Sequence, residues 1–166
     1  MRINKGVEWA AHACSLLGPL WPEKGLPLSA LAEFHELPEA YMAKQMQALS
    51  KAGIVTGGRG RNGFYTLARA PKDITLLDIL LAVDGEQPMF SCTEIRQNGP
   101  CAAAKEDCTL PCGIAKQFAE AEKLYRGSLA AVDLASLQAQ AVESLSPSSL
   151  QKTADWLLQN HRPKTA

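Results

Sequence analysis

The chain has 166 residues, of which 46% are hydrophobic and 20% charged, a composition typical of globular proteins and unlike that of disordered chains. Its wholly apolar runs are far shorter than the roughly 20 residues of a membrane span, and its first residues lack a signal-peptide pattern, so we expect a cytoplasmic protein. The 17 basic and 17 acidic residues balance, but residues 40–72 hold six Lys or Arg and no acid, which indicates phosphate binding or, more simply, a solvated basic surface.

The first predicted helix covers residues 3–17, where apolar residues recur at helical spacing and Gly-Pro follows. Glu8 and His12 lie on its other face, one turn apart, so their side chains can converge on one point. Cys14 lies on the apolar face and is expected to be a buried small hydrophobe. A loop is predicted over residues 21–27.

The next two predicted helices form a helix-turn-helix. Ser29 begins or caps the first of them. The second covers residues 38–52, where Met42, Met46 and Leu49 recur at i, i+4 and i+7 and should face the core. The opposite face then mixes small, amide and cationic side chains, as a helix does when it enters a major groove. The candidate DNA-binding residues of this region are Ser29, Tyr41, Lys44, Gln45 and Lys51.

Two short strands, residues 54–56 and 64–67, follow and are joined by a glycine-rich segment. They predict a β-wing whose tip carries Arg59 and Arg61, both candidate DNA-binding residues. A plain hairpin turn would have the same pattern. A phosphate-binding P-loop is excluded because no Gly-Lys-Ser/Thr follows and no helix begins after the segment.

A short amphipathic helix is predicted over residues 73–83, and a single long helix over residues 113–141. The long helix is too long to bury its apolar stripe against so small a domain, so we expect it to pair with its copy in a symmetric homodimer. A linker over residues 144–149 precedes a terminal helix that Trp156 and Leu157 anchor. The stripe consists of Ile114, Phe118, Ala121, Tyr125, Leu129 and Val132.

The predicted fold class is mainly α with a small β wing, a winged helix-turn-helix domain plus a long dimerisation helix. It divides the chain into four parts. They are a DNA-binding domain (1–85), a cysteine-rich cluster-binding loop (86–112), the dimerisation helix (113–142), and a linker with a C-terminal helix (143–166).

Four of the five cysteines lie in the loop, spaced C-x8-C-x6-C-x3-C from Cys92 through Cys101 and Cys108 to Cys112. In a cytosolic chain this favours a metal or redox site over a disulfide framework. The paired C-x2-C knuckles of zinc fingers are missing, and irregularly spaced thiolates suit iron-sulfur clusters. A thiol switch, a zinc site and inert thiols stay open as alternatives.

Three strings of the sequence resemble those of a known family: GVEWA at residues 6–10, AKQMQALS at 43–50 and CTEIRQ at 92–97. Together with the order of helix-turn-helix, Arg-Gly wing, cysteine loop and long helix, they resemble the iron-sulfur winged-helix transcription regulators of the IscR and NsrR family, and within it most the redox sensor RsrR. The resemblance covers essentially the whole chain. It implies a homodimer, not an enzyme, that binds double-stranded promoter DNA and holds one cluster per subunit.

The resemblance also implies how a 2Fe-2S cluster is held. The IscR pattern of three closely spaced cysteines with a nearby histidine does not fit, because the cysteine after Cys92 comes only at Cys101. Ligation by a carboxylate, an imidazole and two thiolates fits better, with the first-helix pair donated by the opposite subunit. Cys92 is the reserve ligand and Trp9 the candidate switch residue. The implied ligand set is Glu8, His12, Cys108 and Cys112.

The function expected from these features is transcription regulation that senses redox, nitrosative or iron status, with the cluster state shifting the first helix and then the recognition helix. The alternative is a cofactor-free winged-helix regulator controlled by a partner protein or by direct cysteine oxidation. Without the resemblance, Glu8 would be assigned as a surface carboxylate and His12 as a solvated imidazole.

Overall fold

The structure is a computed structural model that describes residues 3–57 and 63–163. Its N-terminal half contains four helices and three strands. Asn4 caps the first helix through its side chain, which accepts a hydrogen bond from the Gly6 amide at 2.9 Å. Thr75 and Asp78 form a reciprocal capping box at the start of the fourth. The elements are α1 (Lys5–Leu17), β1 (Lys24–Pro27), α2 (Leu28–Phe34), α3 (Glu39–Lys51), β2 (Val55–Gly57), β3 (Phe64–Leu67) and α4 (Leu76–Asp84).

A four-stranded antiparallel sheet flanks these helices, in the order β2-β3-β1-β4, where β4 is Arg162–Pro163 near the end of the chain. The predicted wing strands are confirmed as β2 and β3, with Val55 opposite Leu67. The loop expected over residues 21–27 is wrong in its second half, because β1 forms there and places Leu26 opposite Tyr65. The strand β4 (Arg162–Pro163) pairs with the other edge of β1. Residues 24–27 form a strand because they pair with segments distant in the chain, and their local sequence pattern does not indicate one.

The core lies between α1, α2, α3, α4 and the sheet. The predicted inward residues Met42, Met46 and Leu49 are all fully buried. Cys14 is also fully buried, as expected, and burial raises the pKa of its thiol to about 12. Ser29, in contrast, does not cap α2, because the helix already begins at Leu28 and its N-cap makes no side-chain hydrogen bond.

The single long helix expected over residues 113–141 is wrong. The chain forms α5 (Gly113–Ala130) and α6 (Leu134–Ser144) instead. Between them the Asp133 carboxylate caps α6 by accepting from the Ser136 amide at 2.8 Å. The Leu134 amide donates to the Ile74 carbonyl at 2.9 Å, and the Leu134 side chain is fully buried. The hydrogen bond to Ile74 and the burial of Leu134 reverse the direction of the chain, so that α6 packs on α1.

The last helix, α7 (Pro147–Asn160), begins earlier than expected because Ser146 caps it. The predicted linker over residues 144–149 therefore shortens to two residues. The predicted anchors hold: Leu157 is buried, and Trp156 is half-buried with its ring 4.8 Å from that of Phe34. None of the helices in the described ranges combines the length and apolarity that crossing a membrane requires.

Candidate nucleic-acid interface and metal centre

The outer face of α3 is exposed as the recognition-helix hypothesis requires. Tyr41 has 57% of its surface exposed, and Lys44 and Lys51 are exposed. Ser29 is exposed at the start of α2. The proposed wing-tip residues Arg59 and Arg61 lie outside the described residues.

Gln45 is not on this outer face, which corrects the prediction that it contacts DNA. It is 6% exposed, and its carboxamide lies against α1, where a Cβ placed on Gly6 would come within 2.8 Å of Gln45 Oε1. The helical period explains the error, since Gln45 lies next to Leu49 on the edge of the buried stripe. Gln45 therefore packs against α1 at a point where a side chain at position 6 would displace its carboxamide.

A second contact joins the same two helices. The Trp9 ring lies 5.9 Å from the Tyr41 ring, tilted by 54°. Trp9 and Gly6 both lie within two residues of Glu8 along α1. The first helix therefore touches the recognition helix on both its buried side and its exposed side.

Glu8 and His12 are both exposed on α1. His12 also meets a second imidazole, with its ring 5.8 Å from that of His35. Burial lowers the pKa of His35, and the nearby charge of His12 lowers it further. Among the described residues His35 Nε2 has no hydrogen-bond partner although the atom is buried.

His12 and His35 line the end of an apolar groove of about 630 Å³. Helices α1, α6 and α7 supply most of its lining. We call it the α1–α6–α7 groove. Its apolar lining includes Leu16, Leu76, Leu137, Val142, Leu145 and Leu157.

A second apolar surface lies on α5. Of the predicted stripe, Tyr125 and Leu129 are half-buried against their own chain, and Val132 lies beyond the end of the helix. Phe118 is 51% exposed and stacks on Phe90 at 4.6 Å. The sequence reading missed Leu124, which is 75% exposed. We call the exposed set the α5 ridge; it consists of Ile114, Phe118, Ala121 and Leu124.

The cysteine loop has no regular structure beyond two short 3-10 turns, at Ile95–Gln97 and Lys105–Asp107. Cys92 and Cys101 are exposed, whereas Cys108 and Cys112 are half-buried. Cys112 is the residue directly before α5. The amides of Ala115 and Ile114 in the first turn of α5 lower the pKa of its thiol. A thiol at a helix N-terminus favours the thiolate, which is the form that binds metal.

The four proposed ligands do not meet within one chain. The described residues hold no group of three or more His, Cys, Asp or Glu side chains placed to bind a metal ion. Glu8 and His12 lie on α1, and the two half-buried cysteines lie at the start of α5. The ligand set stays a prediction that requires a second subunit.

Comparisons with known proteins place these features in context. A model of the Rrf2 family, described as iron-dependent transcriptional regulator, matches residues 3–140. Protein aau3 of Rhizobium meliloti is 30% identical over 119 residues, which cover 69% of this chain and 70% of that protein. The rrf2-like HTH-type transcriptional regulator of Rhodobacter capsulatus is 29% identical over 97 residues, 58% of this chain; the match spans 63% of that relative, less than two thirds of its length.

Among solved structures, IscR from T. potens superposes with a TM-score of 0.64 and 22% identity, covering 91% of this chain and 96% of that one. At 22% identity the match supports the fold alone. It confirms the predicted winged-helix architecture.

Proposed function

The chain belongs to the Rrf2 family of transcriptional regulators, which are not enzymes, and on that premise we propose a homodimer that binds double-stranded promoter DNA and senses redox, nitrosative or iron status through a 2Fe-2S cluster. The proposal rests on one observation: α1, which carries Glu8 and His12, contacts the recognition helix directly at Trp9–Tyr41 and Gly6–Gln45. Any displacement of α1 therefore reaches the surface that would face DNA.

The proposed DNA contacts come from three parts of the chain: α3, the wing and the start of α2. Tyr41, Lys44 and Lys51 project from α3 toward the major groove, where lysine and aromatic side chains meet base edges and phosphates. Arg59 and Arg61 extend the contact from the wing. Ser29 donates to a phosphate from the start of α2.

The second subunit completes the cluster site. The α5 ridge is an apolar surface that stays largely exposed although Phe90 stacks on Phe118, and the α1–α6–α7 groove is a second apolar surface. In a two-fold dimer each ridge covers the partner's groove. Cys112 begins the ridge and His12 lines the groove, so this packing brings thiols from one chain to the imidazole of the other.

The donor set suits an iron-sulfur cluster. Cys112 favours its thiolate form, Cys108 lies four residues before it in the chain, and Glu8 and His12 share one face of α1. When bound, the cluster would supply one-electron redox chemistry at a potential raised by the carboxylate and imidazole ligands. Within the chain, Glu8 and His12 pass a change in position to Trp9, and Trp9 passes it to Tyr41. The resemblance to RsrR inferred from the sequence strings at residues 6–10, 43–50 and 92–97 favours this ligand set over one that uses Cys92.

The lowered pKa of Cys112 also favours the second candidate, a cofactor-free regulator. Its thiolate is the nucleophile that would attack an oxidant such as peroxide and become a sulfenic acid. Cys108, four residues earlier in the sequence, would then attack the sulfenic sulfur and release water, which closes a disulfide. In this version the same α1–α3 contact responds to a change in the cysteine loop.

Anaerobic purification separates the two. The cluster version predicts brown protein that absorbs in the visible and contains about two iron and two sulfide per chain. Cys112→Ser should remove the colour, whereas Cys101→Ser, at an exposed position, is the matched control and should keep it. Colourless wild-type protein whose DNA binding in gel shifts responds to peroxide would establish the cofactor-free version instead.

A further inference from the structure

Arg96 ties together three separate parts of the cysteine loop. Its guanidinium holds the Glu94 carboxylate with two donors, one of them at 2.8 Å, and also donates to the Leu110 carbonyl at 3.0 Å. Its own carbonyl accepts from the Ala103 amide at 2.8 Å. Leu110 lies between the two half-buried cysteines, so this arginine connects the Cys92 end of the loop to the Cys108–Cys112 end.

Apolar packing does not hold this part of the loop in place. Leu110 is 75% exposed and Ile95 is 72% exposed. The polar contacts of Arg96 are therefore what joins the two ends of the loop.

Glu94, the partner of Arg96, has an unusual backbone conformation. Its φ is +51°, in the left-handed region that residues other than glycine seldom adopt. The hydrogen bond from Arg96 also holds the pKa of Glu94 below its usual value, so the carboxylate stays charged and paired.

We propose that Arg96 is a positioning residue that closes the cysteine loop before any cluster binds, so that Cys108 and Cys112 are presented from a preformed segment. Its link to the cluster rests on the proposed function, but the closing of the loop does not. A guanidinium is required, because its planar fork serves the carboxylate and the carbonyl at once, whereas a lysine ammonium is a single point charge.

Hydrogen exchange on the cluster-free full-length protein tests the proposal. The amides of Ala103, Asp107 and Cys108 are hydrogen-bonded within the loop. In both Arg96→Gln and Arg96→Lys we expect these amides to exchange about fivefold faster than in the wild type, as for loss of one hydrogen bond of ordinary net strength. Thermal unfolding should change little, since Arg96 is outside the core.

Arg126→Lys is the matched control. Arg126 also pairs with a glutamate, Glu122, and binds loop carbonyls, but those belong to Glu86 and Gln87 at the other end of the loop. This variant should leave exchange at residues 103–108 unchanged.

Two results would overturn the proposal: wild-type exchange in Arg96→Lys, which would make charge alone sufficient, or no change in either Arg96 variant. The loaded protein gives a second readout, because both Arg96 variants should lose their visible absorbance to a chelator faster than the wild type. If the wild type binds no cluster, the proposed function fails, and the exchange rates still decide the role of Arg96.

Discussion

Phe118→Asp tests whether the α5 ridge is the dimer interface. Complete burial of a phenylalanine side chain contributes about 1.5–3 kcal/mol. Because Phe118 is 51% exposed in the single chain, dimerisation can add about half of this, about 1 kcal/mol per subunit. A two-fold interface has two copies of this contact, so the loss occurs twice. Each new carboxylate must also be dehydrated without a partner, which costs at least about 1 kcal/mol, the lower end of the range for uncharged polar groups. The sum is at least about 4 kcal/mol, a weakening of roughly a thousandfold in the dimer Kd.

Sedimentation velocity at micromolar concentration measures this directly. The wild type should sediment as a dimer and Phe118→Asp as a monomer, with an unchanged helical circular dichroism spectrum because Phe118 is outside the core. Leu158→Asp is the control: it also replaces an exposed apolar residue, 67% exposed on α7, but does not line the groove. A monomeric wild type, or a Phe118→Asp protein that dimerises like the wild type, would refute the ridge-and-groove interface.

Three further predictions concern DNA binding and stability. Gly6→Ala should push Gln45 away from α1, because the new Cβ would lie 2.8 Å from its carboxamide oxygen; we expect a lower Tm and weaker DNA binding, and wild-type behaviour in both would contradict the contact. Lys44→Ala should cost about 1–3 kcal/mol in operator affinity if Lys44 contacts a base. Arg59→Ala should mainly reduce, by about one, the slope of log affinity against log salt concentration. Gel shifts measure both, and an unchanged affinity and slope in either variant would exclude the DNA contact of that residue. Asp133→Ala should destabilise the protein at neutral pH. The Ser136 amide lowers the pKa of this carboxylate below its usual value, so its contribution is present above the unfolded pKa and lost as pH falls through the folded pKa. Denaturation curves in which wild type and variant differ equally at pH 7 and pH 3 would contradict this.

The sequence predicted those features that depend on local periodicity. The spacing of Met42 and Met46 located the buried face of the recognition helix, and the glycine-rich segment located the wing. The strand β1 and the break at Asp133 escaped prediction because both depend on pairing with residues far away in the chain. Gln45 was misassigned because helical spacing alone cannot tell which edge residues a neighbouring helix covers.

The candidate site was predictable to a different degree. Residue types and the family resemblance selected the ligands, and the structure adds the contacts that connect α1 to α3. No pattern in the sequence singled out Arg96, whose role depends on the fold of an irregular loop. The proposed ligands come from two subunits, so the structure of one chain does not bring them together. The sharing of the site between subunits therefore requires its own test.

Mixed dimers provide that test. A His12→Ala chain and a Cys112→Ser chain, carrying different affinity tags, are co-expressed and purified anaerobically through both tags. If each site takes its imidazole from one subunit and its thiolates from the other, one of the two sites in the mixed dimer keeps all four ligands. The mixed dimer should then contain about half the iron and visible absorbance of the wild type, while each variant homodimer contains none. A mixed dimer without iron would contradict a shared site, and a variant homodimer that keeps the wild-type spectrum would contradict the ligand set itself.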